Sequence, residues 1–176
     1  MNLLTKQLSV ACLGVCAAVP GMAVQPDGQT YAELSYAWLT LSSTGYDVTA
    51  TDAIGRFGYE FTKNLGAEIF GATSLSSGEL NGISVKVDSA YGGYLKLRAE
   101  ASPGFEIFGK LGWVHATLNA AVPGASASSS DSSMSYGVGA QYTFSEKWYF
   151  QVDYMSYYDK DGDTIRGPSM GVGIRF

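Results

Sequence analysis

Residues 133–144 read Ser133-Met134-Ser135-Tyr136-Gly137-Val138-Gly139-Ala140-Gln141-Tyr142-Thr143-Phe144. From Tyr136 onward, every second position carries an aromatic or aliphatic side chain, and the positions between them carry glycine, glutamine or threonine. An alternation with a period of two residues places the two sets on opposite faces of a β-strand. The stretch therefore predicts a strand that has one face against an apolar medium and the other against a polar one.

Seven further segments show this alternation, and they lie at 30–41, 51–61, 65–75, 84–99, 105–117, 148–157 and 168–176. The connections at 62–64, 100–104 and 145–147 are short, whereas those at 42–50, 76–83, 118–132 and 158–167 are longer. An even number of strands with short turns on one side and long loops on the other is typical of transmembrane β-barrels. We therefore predict an all-β fold, an eight-stranded antiparallel up-and-down transmembrane β-barrel over residues 24–176. The serine- and alanine-rich stretch 125–133 is predicted to be a mobile part of the third long loop.

The composition agrees with a membrane barrel and narrows its partners. Charged residues make up 15% of the chain, against about 25% in ordinary soluble domains, yet no apolar run reaches the roughly 20 residues that a membrane-spanning helix requires. Cys12 and Cys16 both lie in the first 23 residues, so a chain processed after Ala23 has no disulfide. That chain carries 10 basic against 16 acidic residues, which argues against nucleic acid as a partner.

The first 23 residues have the layout of an export signal. Lys6 precedes an apolar core at 8–19, and Gly21 and Ala23 occupy the −3 and −1 positions of a cleavage site. This order predicts a cleaved secretory signal peptide over residues 1–23. An N-terminal membrane anchor is the alternative, but the apolar core is too short to span a bilayer.

The strand face opposite the aromatic residues carries charge. It holds five acidic and five basic residues, namely Glu33, Arg56, Glu60, Glu68, Lys96, Arg98, Glu106, Lys110, Asp153 and Arg175. In a soluble, lipocalin-like barrel this face would lie outside, and the large apolar residues would have to fit an interior that eight strands leave narrow. The charged face is therefore predicted to line the lumen. Because an unpaired buried charge is costly, we expect an ion-pair network formed by Arg56, Glu60, Glu68, Lys96, Arg98, Glu106, Lys110 and Arg175.

Outward-facing aromatic residues concentrate near the ends of the predicted strands. Transmembrane barrels carry such residues in two bands at the levels of the membrane interfaces. The sequence predicts aromatic girdles formed by Trp38, Tyr59, Phe61, Phe105, Trp113, Phe144, Trp148 and Tyr154.

Two stretches resemble a known family. The segment Met170-Gly171-Val172-Gly173-Ile174-Arg175-Phe176 ends on an aromatic residue after alternating apolar positions, and residues 55–68 are similar to a hairpin of the opacity-like and OmpA-like small outer-membrane barrels. The resemblance covers the barrel, without the periplasmic domain of OmpA-like proteins. It implies the bacterial outer membrane of Gram-negative cells, with lipid and lipopolysaccharide around the barrel. It also implies the barrel-assembly machinery as a partner that recognises Phe176 as an assembly signal.

A weak cation site is suggested by the segment Asp159-Lys160-Asp161-Gly162-Asp163-Thr164, which begins like an EF-hand calcium loop. Thr164 stands where that loop requires glycine, and Met170 stands where it requires glutamate. Asp159, Asp161 and Asp163 are therefore expected at most to hold a divalent cation weakly. No cofactor motif is found, since Gly137-Val138-Gly139 belongs to a strand and lacks the rest of a phosphate-binding loop.

Three functions remain open at this point. The first is a non-enzymatic barrel with a plugged, ion-paired lumen that supports the envelope or makes surface contacts through four extracellular loops. The second is a narrow porin-like channel for small solutes. The third is a lipid A-modifying enzyme centred on His115, which has the hydroxyl of Thr117 two residues on but no acidic residue nearby in sequence.

We predict that the exported protein begins at Val24, because the small residues Gly21 and Ala23 follow the apolar core. Amino-terminal sequencing of the protein from the outer-membrane fraction should give Val24 as the first residue. Recovery of chains that still begin at Met1 would contradict the cleavage site.

Overall fold

Backbone hydrogen bonds join nine β-strands into one antiparallel sheet in the computed structural model, which describes residues 28–43, 46–76, 78–80, 83–122, 125–160 and 162–176. The strands are β1 (Gln29–Ser43), β2 (Tyr46–Glu60), β3 (Leu65–Ser76), β4 (Gly78–Leu80), β5 (Ile83–Ser102), β6 (Phe105–Val122), β7 (Ala125–Thr143), β8 (Trp148–Lys160) and β9 (Asp163–Arg175). The predicted signal peptide lies outside the described residues. These residues include no helix that is long and apolar enough to cross a membrane.

The sheet closes on itself. Strands that follow one another in the chain pair with each other, except that β3 pairs with β5 and not with β4. In addition, β1 pairs with β9, from Tyr31 opposite Arg175 to Ser42 opposite Thr164. The short strand β4 pairs with β5 beyond the point where β3 does, so β3 and β4 together occupy one position around the barrel. The result is a closed eight-stranded antiparallel barrel, which confirms the predicted fold class.

The inner and outer faces of the barrel carry the side chains that the sequence alternation predicts for them. On β1, the side chain of Glu33 is buried inside the barrel at 5% exposure, while its neighbour Leu34 is 68% exposed on the outside. The same alternation follows β8 and β9, where Gln151, Asp153 and Ser169 are buried and the residues between them are exposed. Most of the large apolar side chains thus face outward, which is the reverse of a lipocalin-like barrel.

Short connections lie at one end of the barrel, called the turn side below. Between β2 and β3, the carbonyl oxygen of Leu65 accepts hydrogen bonds from the backbone N–H groups of Phe61 at 2.9 Å and Thr62 at 3.1 Å. The turn before β6 contains Gly104, whose φ of 77° favours glycine because a Cβ is strained there. The predicted short turns are therefore confirmed.

At the opposite end, the loop side, the structure contradicts the predicted long loops. Most of 42–50, 76–83, 118–132 and 158–167 continues the strands, and β6 and β7 stay paired as far as Val122 opposite Ala125. The serine-rich stretch 125–133, predicted as a mobile loop, lies in β7. Hairpin pairing is made by backbone groups, so it continues beyond the apolar band through a stretch that is mostly serine and alanine.

A side-chain contact supports β7 where its direct pairing with β8 has ended, beyond Tyr136 opposite Ser156. The carboxylate of Asp131 accepts hydrogen bonds from Lys160 Nζ at 2.8 Å and from the hydroxyl of Tyr158 at 2.9 Å. Together with a hydrogen bond from the backbone N–H of Ser132 at 2.7 Å, these bonds lower the pKa of Asp131 to about 2, and the bond from Lys160 contributes most. The carboxylate therefore stays ionised and joins the two strands at neutral pH.

Glycine substitutions on the two faces should have unequal effects on stability. A Cβ on Gly92 would collide with the carbonyl oxygen of Trp113 and the ring of Phe70, whereas a Cβ on Gly71 would point into open space. We expect Gly92→Ala to lower the free energy of unfolding by about 1–3 kcal/mol through overpacking, and Gly71→Ala to leave it nearly unchanged. Urea titrations in lipid vesicles, followed by tryptophan fluorescence, measure both values. Equal values for the two variants would contradict the assignment of the faces.

Candidate functional site in the barrel lumen

A central charge cluster occupies the lumen, formed by Glu33, Arg56, Glu68, Lys110 and Asp153. The guanidinium of Arg56 lies 2.6 Å from Glu33, 3.3 Å from Asp153 and 3.8 Å from Glu68. Lys110 Nζ lies 2.7 Å from Glu68 and 3.7 Å from Asp153. All five side chains are buried. The two cations therefore share three carboxylates contributed by β1, β3 and β8.

A third cation, Lys96, is connected to the carboxylates of this cluster through the side-chain amide of Gln151. Lys96 Nζ donates hydrogen bonds of 2.9 Å to Gln141 Oε1 and to Gln151 Oε1. Gln151 in turn donates from its Nε2 atom to Glu33 at 3.1 Å and to Asp153 at 3.0 Å. The ammonium group also lies 4.3 Å from the ring centre of Phe108, which is within the range of a cation–π interaction.

Hydroxyl groups satisfy remaining carboxylate lone pairs of the central charge cluster. The Tyr31 hydroxyl donates to Glu68 at 2.6 Å, and the Tyr149 hydroxyl donates to Glu33 at 3.2 Å. Their rings occupy space that a Cβ on Gly58 or on Gly173 would otherwise fill. Tyrosine and glycine on adjacent strands therefore pack the lumen at this level.

A second group of charges, the turn-side cluster, is formed by Glu60, Arg98, Glu106 and Arg175. Arg98 lies 2.7 Å from Glu60 and 3.5 Å from Glu106, and Arg175 lies 3.4 Å from Glu60 and 3.2 Å from Glu106. Gln141 donates a further hydrogen bond to Glu106. Around this cluster lies a polar pocket of about 590 Å³. Two arginines alternating with two glutamates thus form a ring at the turn side of the lumen.

An apolar lumen layer lies on the loop side of the central charge cluster. It consists of Ala37, Leu39, Ile54, Phe70, Tyr94, Val114, Ala116, Met155, Tyr157 and Ile165, all of them buried. The rings of Phe70 and Tyr94 are stacked with their centres 5.2 Å apart, and the ring of Tyr157 lies 6.1 Å from Phe70. A cavity of only about 20 Å³ remains in this layer, which is room for about one water molecule. Side chains from β1, β2, β3, β5, β6, β8 and β9 therefore meet here and leave little space between them. The buried carboxylate of Asp52 lines the same cavity and accepts a hydrogen bond of 2.6 Å from Ser74.

The structure brings together most of the predicted lumen residues and shows two that the predicted network omitted. All eight predicted residues lie on the inner face, but Lys96 contacts glutamine amides where we expected a carboxylate. Glu33 and Asp153 were left out of the predicted network and make central contacts with Arg56. Both residues occupy inward-facing positions in the alternating pattern of their strands, and this pattern could have identified them. The apolar lumen layer was not predicted, because its residues occupy inward-facing positions but form no recognisable sequence motif.

The predicted girdle residues all lie on the outer face. Tyr59 is half-buried, with its ring centre 5.2 Å from that of Phe61. The other seven are exposed, and they are Trp38, Phe61, Phe105, Trp113, Phe144, Trp148 and Tyr154. Their contact with the membrane interfaces stays a prediction.

His115 has a different hydroxyl partner from the one suggested by its sequence neighbours. His115 Nδ1 lies 2.8 Å from the hydroxyl of Ser132 on the facing strand, while Thr117 bonds to Ser130. The ring of Tyr91 lies 5.2 Å away. In the described part of the chain, no carboxylate bonds to His115 to orient it in the way that catalytic triads require.

The suggested cation site falls partly outside the described residues, because Asp161 is not among them. Asp159 lies opposite Thr164, and Lys160 lies opposite Asp163, across the end of the β8–β9 hairpin. Among the described residues, no group of three or more potential metal ligands comes together. Cation binding here stays a prediction.

Comparisons with known proteins identify the architecture. The family model described as the outer membrane protein beta-barrel domain matches residues 8–176. Among solved structures, the attachment invasion locus protein Ail of Yersinia pestis, in complex with the heparin analogue sucrose octasulfate, superimposes with a TM-score of 0.67. It shows 21% sequence identity over 85% of this chain and 99% of that one.

Two further structures resemble the chain at lower identity. Neisserial surface protein A has a TM-score of 0.66 and 10% identity over 83% of this chain and 95% of that one. The outer membrane protein OprG of Pseudomonas aeruginosa has a TM-score of 0.57 and 14% identity over 85% and 96%. A sequence search of curated proteins gives no match.

The burial of Glu68 predicts a large effect on stability. Its carboxylate contacts Arg56, Lys110 and Tyr31, so Glu68→Ala removes the nearest carboxylate of the buried Lys110 and leaves that cation, within the described residues, only the carboxylate of Asp153, at 3.7 Å. We expect a loss of about 3–5 kcal/mol in the free energy of unfolding. Glu100→Ala, at an exposed position near the turns, should cost less than about 1 kcal/mol.

A double variant separates the charge from the packing. Glu68→Met combined with Lys110→Met removes one charge of each sign, so it should recover part of the stability that Glu68→Met alone loses. Urea titrations in vesicles measure all of these variants. A loss for Glu68→Ala no larger than that for Glu100→Ala would show that the central charge cluster does not act as a unit.

Proposed function

Because the chain belongs to the outer membrane protein β-barrel family, we propose that this bacterial outer-membrane barrel is a non-enzymatic protein that acts through its loop-side surface while its lumen stays closed. The apolar lumen layer carries this proposal. An ion on its way through would have to give up its hydration shell to pass this narrow, mainly apolar constriction. The central charge cluster beneath that layer has its carboxylates bound by cations and hydroxyls.

The loop-side surface carries an excess of acidic residues. Residues 42–50, 76–90, 116–135 and 157–167 contain seven acidic and three basic residues. Ail is seen with a heparin analogue, but a polyanion would be repelled by the acidic excess of this chain. A neutral or basic surface is therefore the partner class that fits its loop side.

A narrow channel is the second candidate function, and the polar pocket at the turn side favours it. That pocket is lined by Gln29, Lys63, Asn64 and the turn-side cluster, and it provides a charged entrance of about 590 Å³. The buried central charge cluster and the apolar lumen layer lie between this pocket and the loop side, so conduction would require both of them to move. For His115, a structural cross-strand contact with Ser132 is the role we propose.

Membrane lipid and lipopolysaccharide are the expected surroundings of the exposed apolar face. For assembly, we propose that Phe176 is recognised by the barrel-assembly machinery. Its backbone N–H donates to the Thr30 carbonyl oxygen at 2.9 Å, which anchors the end of β9 to β1, while its side chain is exposed. The aromatic ring is therefore accessible even after the barrel has closed.

Conductance in planar bilayers tests the closed lumen. We expect no unitary current steps from the wild-type barrel in concentrated potassium chloride, and none from Glu68→Gln, because the apolar lumen layer is intact in both. Steady steps from the wild type would favour the channel. Steps that appear only in Glu68→Gln would show that the ion pairs, and not the apolar layer, close the lumen.

Phe176→Asp should lower the yield of assembled barrel in cells several-fold while leaving the unfolding free energy of the refolded protein nearly unchanged. The exposed ring contributes little packing, so its replacement should hardly change the unfolding free energy. The yield should fall because the ring follows the strand that closes the barrel, where we propose that the assembly machinery recognises it. Heat-modifiable electrophoretic mobility of outer-membrane fractions measures assembly, and Phe144→Asp at another exposed aromatic position is the control. A normal yield of Phe176→Asp would exclude the assembly role.

A further inference from the structure

The outer surface of the barrel has an oblique groove with a volume of about 850 Å³. We call it the outer groove, and its lining includes Trp38, Ile107, Gly109, Val138, Ala140 and Tyr154. Leu97, Gly109, Val138, Tyr154 and Pro168 follow one another in register across β5 to β9. The groove therefore runs along the hydrogen-bonding direction and crosses the strands.

Small side chains open the outer groove. Gly109 and Ala140 stand on the outward face between larger residues such as Ile107 and Val138. A Cβ on Gly109 would meet only the Gly137 carbonyl oxygen, at 3.8 Å, which is ordinary van der Waals contact. The backbone thus does not require glycine at this position. What the missing side chain provides is room on an apolar surface that faces lipid.

A polar pocket adjoins the outer groove toward the loop side. It has a volume of about 310 Å³, shares Val138 and Tyr154 with the groove, and is lined by Ser156, Asp159, Thr164 and Arg166. Arg166 is exposed, and within the described ranges its guanidinium has no ion-pair partner. The pocket thus places one carboxylate, the hydroxyl-bearing residues Tyr136, Tyr154, Ser156 and Thr164, and one cation without an ion-pair partner among the described residues at the loop-side end of an apolar groove.

We propose that the outer groove and the polar pocket together bind one phosphorylated glycolipid of the outer leaflet, of the lipid A class. An acyl chain lies in the outer groove, a phosphate of the headgroup binds Arg166, and sugar hydroxyl or amide N–H groups donate to Asp159. A simple anion would be attracted by Arg166 but repelled by Asp159, so the pair selects a headgroup that offers negative charge and hydrogen-bond donors side by side. This site lies outside the lumen and does not depend on the closed-lumen proposal.

Native mass spectrometry of the full barrel in detergent, titrated with bis-phosphorylated lipid A, tests the site. We expect one lipid A molecule to be retained per barrel. Arg166→Gln should weaken retention about tenfold, the loss of one charge-assisted contact, and Gly109→Leu should weaken it by filling the groove. The matched controls are Lys147→Gln, an exposed cation at the turn side, and Gly71→Leu, an outward glycine with open space on β3.

The outcomes separate a specific site from general lipid adhesion. Loss of retention in Arg166→Gln and Gly109→Leu, with both controls unchanged, supports the proposal. Equal effects of Gly71→Leu and Gly109→Leu would overturn it, as would equal retention of dephosphorylated lipid A, phosphatidylethanolamine or phosphatidylglycerol. If Gly109→Leu does not fold by its electrophoretic shift, Ala140→Leu fills the same groove and carries the same expectation.

Discussion

Closure of the backbone hydrogen-bond network is the constraint on which the rest of this structure depends. In hydrocarbon, an unpaired N–H or carbonyl group costs several kcal/mol, so the first and last strands must pair, as β1 and β9 do between Tyr31 and Arg175. Once the sheet is closed, each strand has one face toward lipid and one toward a narrow lumen. The period-two alternation of the sequence therefore becomes an inside-outside assignment for each residue.

The lumen combines two solutions to the problem of filling a narrow tube. In the centre of the lumen, charges neutralise one another, because Arg56 and Lys110 share the carboxylates of Glu33, Glu68 and Asp153. Toward the loops, apolar side chains fill the space directly. Because the cost of taking two charges out of water offsets much of their attraction, such buried ion pairs need not add net stability. The apolar lumen layer is instead filled mainly by aliphatic and aromatic side chains.

The outer surface of the barrel is chemically more varied than contact with lipid alone requires. Most outward positions carry large apolar or aromatic side chains, yet Gly109 and Ala140 leave a groove that leads up to Arg166 and Asp159. Beyond the apolar band, the strands continue as serine-rich and acidic hairpins. The outer apolar band and these hairpins therefore differ in chemistry, and neither is part of the lumen.

The sequence by itself determined the barrel, its strand count, its short turns and which charged residues face the lumen, because the alternation at Tyr136–Phe144 and in seven other segments is a local signal. It did not determine where the strands end on the loop side, since backbone pairing continues through serine-rich stretches that lack any alternation of hydrophobicity. Nor did it show that Lys96 binds Gln141 and Gln151, or that Glu33 and Asp153 complete the cluster around Arg56. Those contacts join strands far apart in the chain, and only the closure, stagger and tilt of the barrel decide which inward side chains meet at the same height.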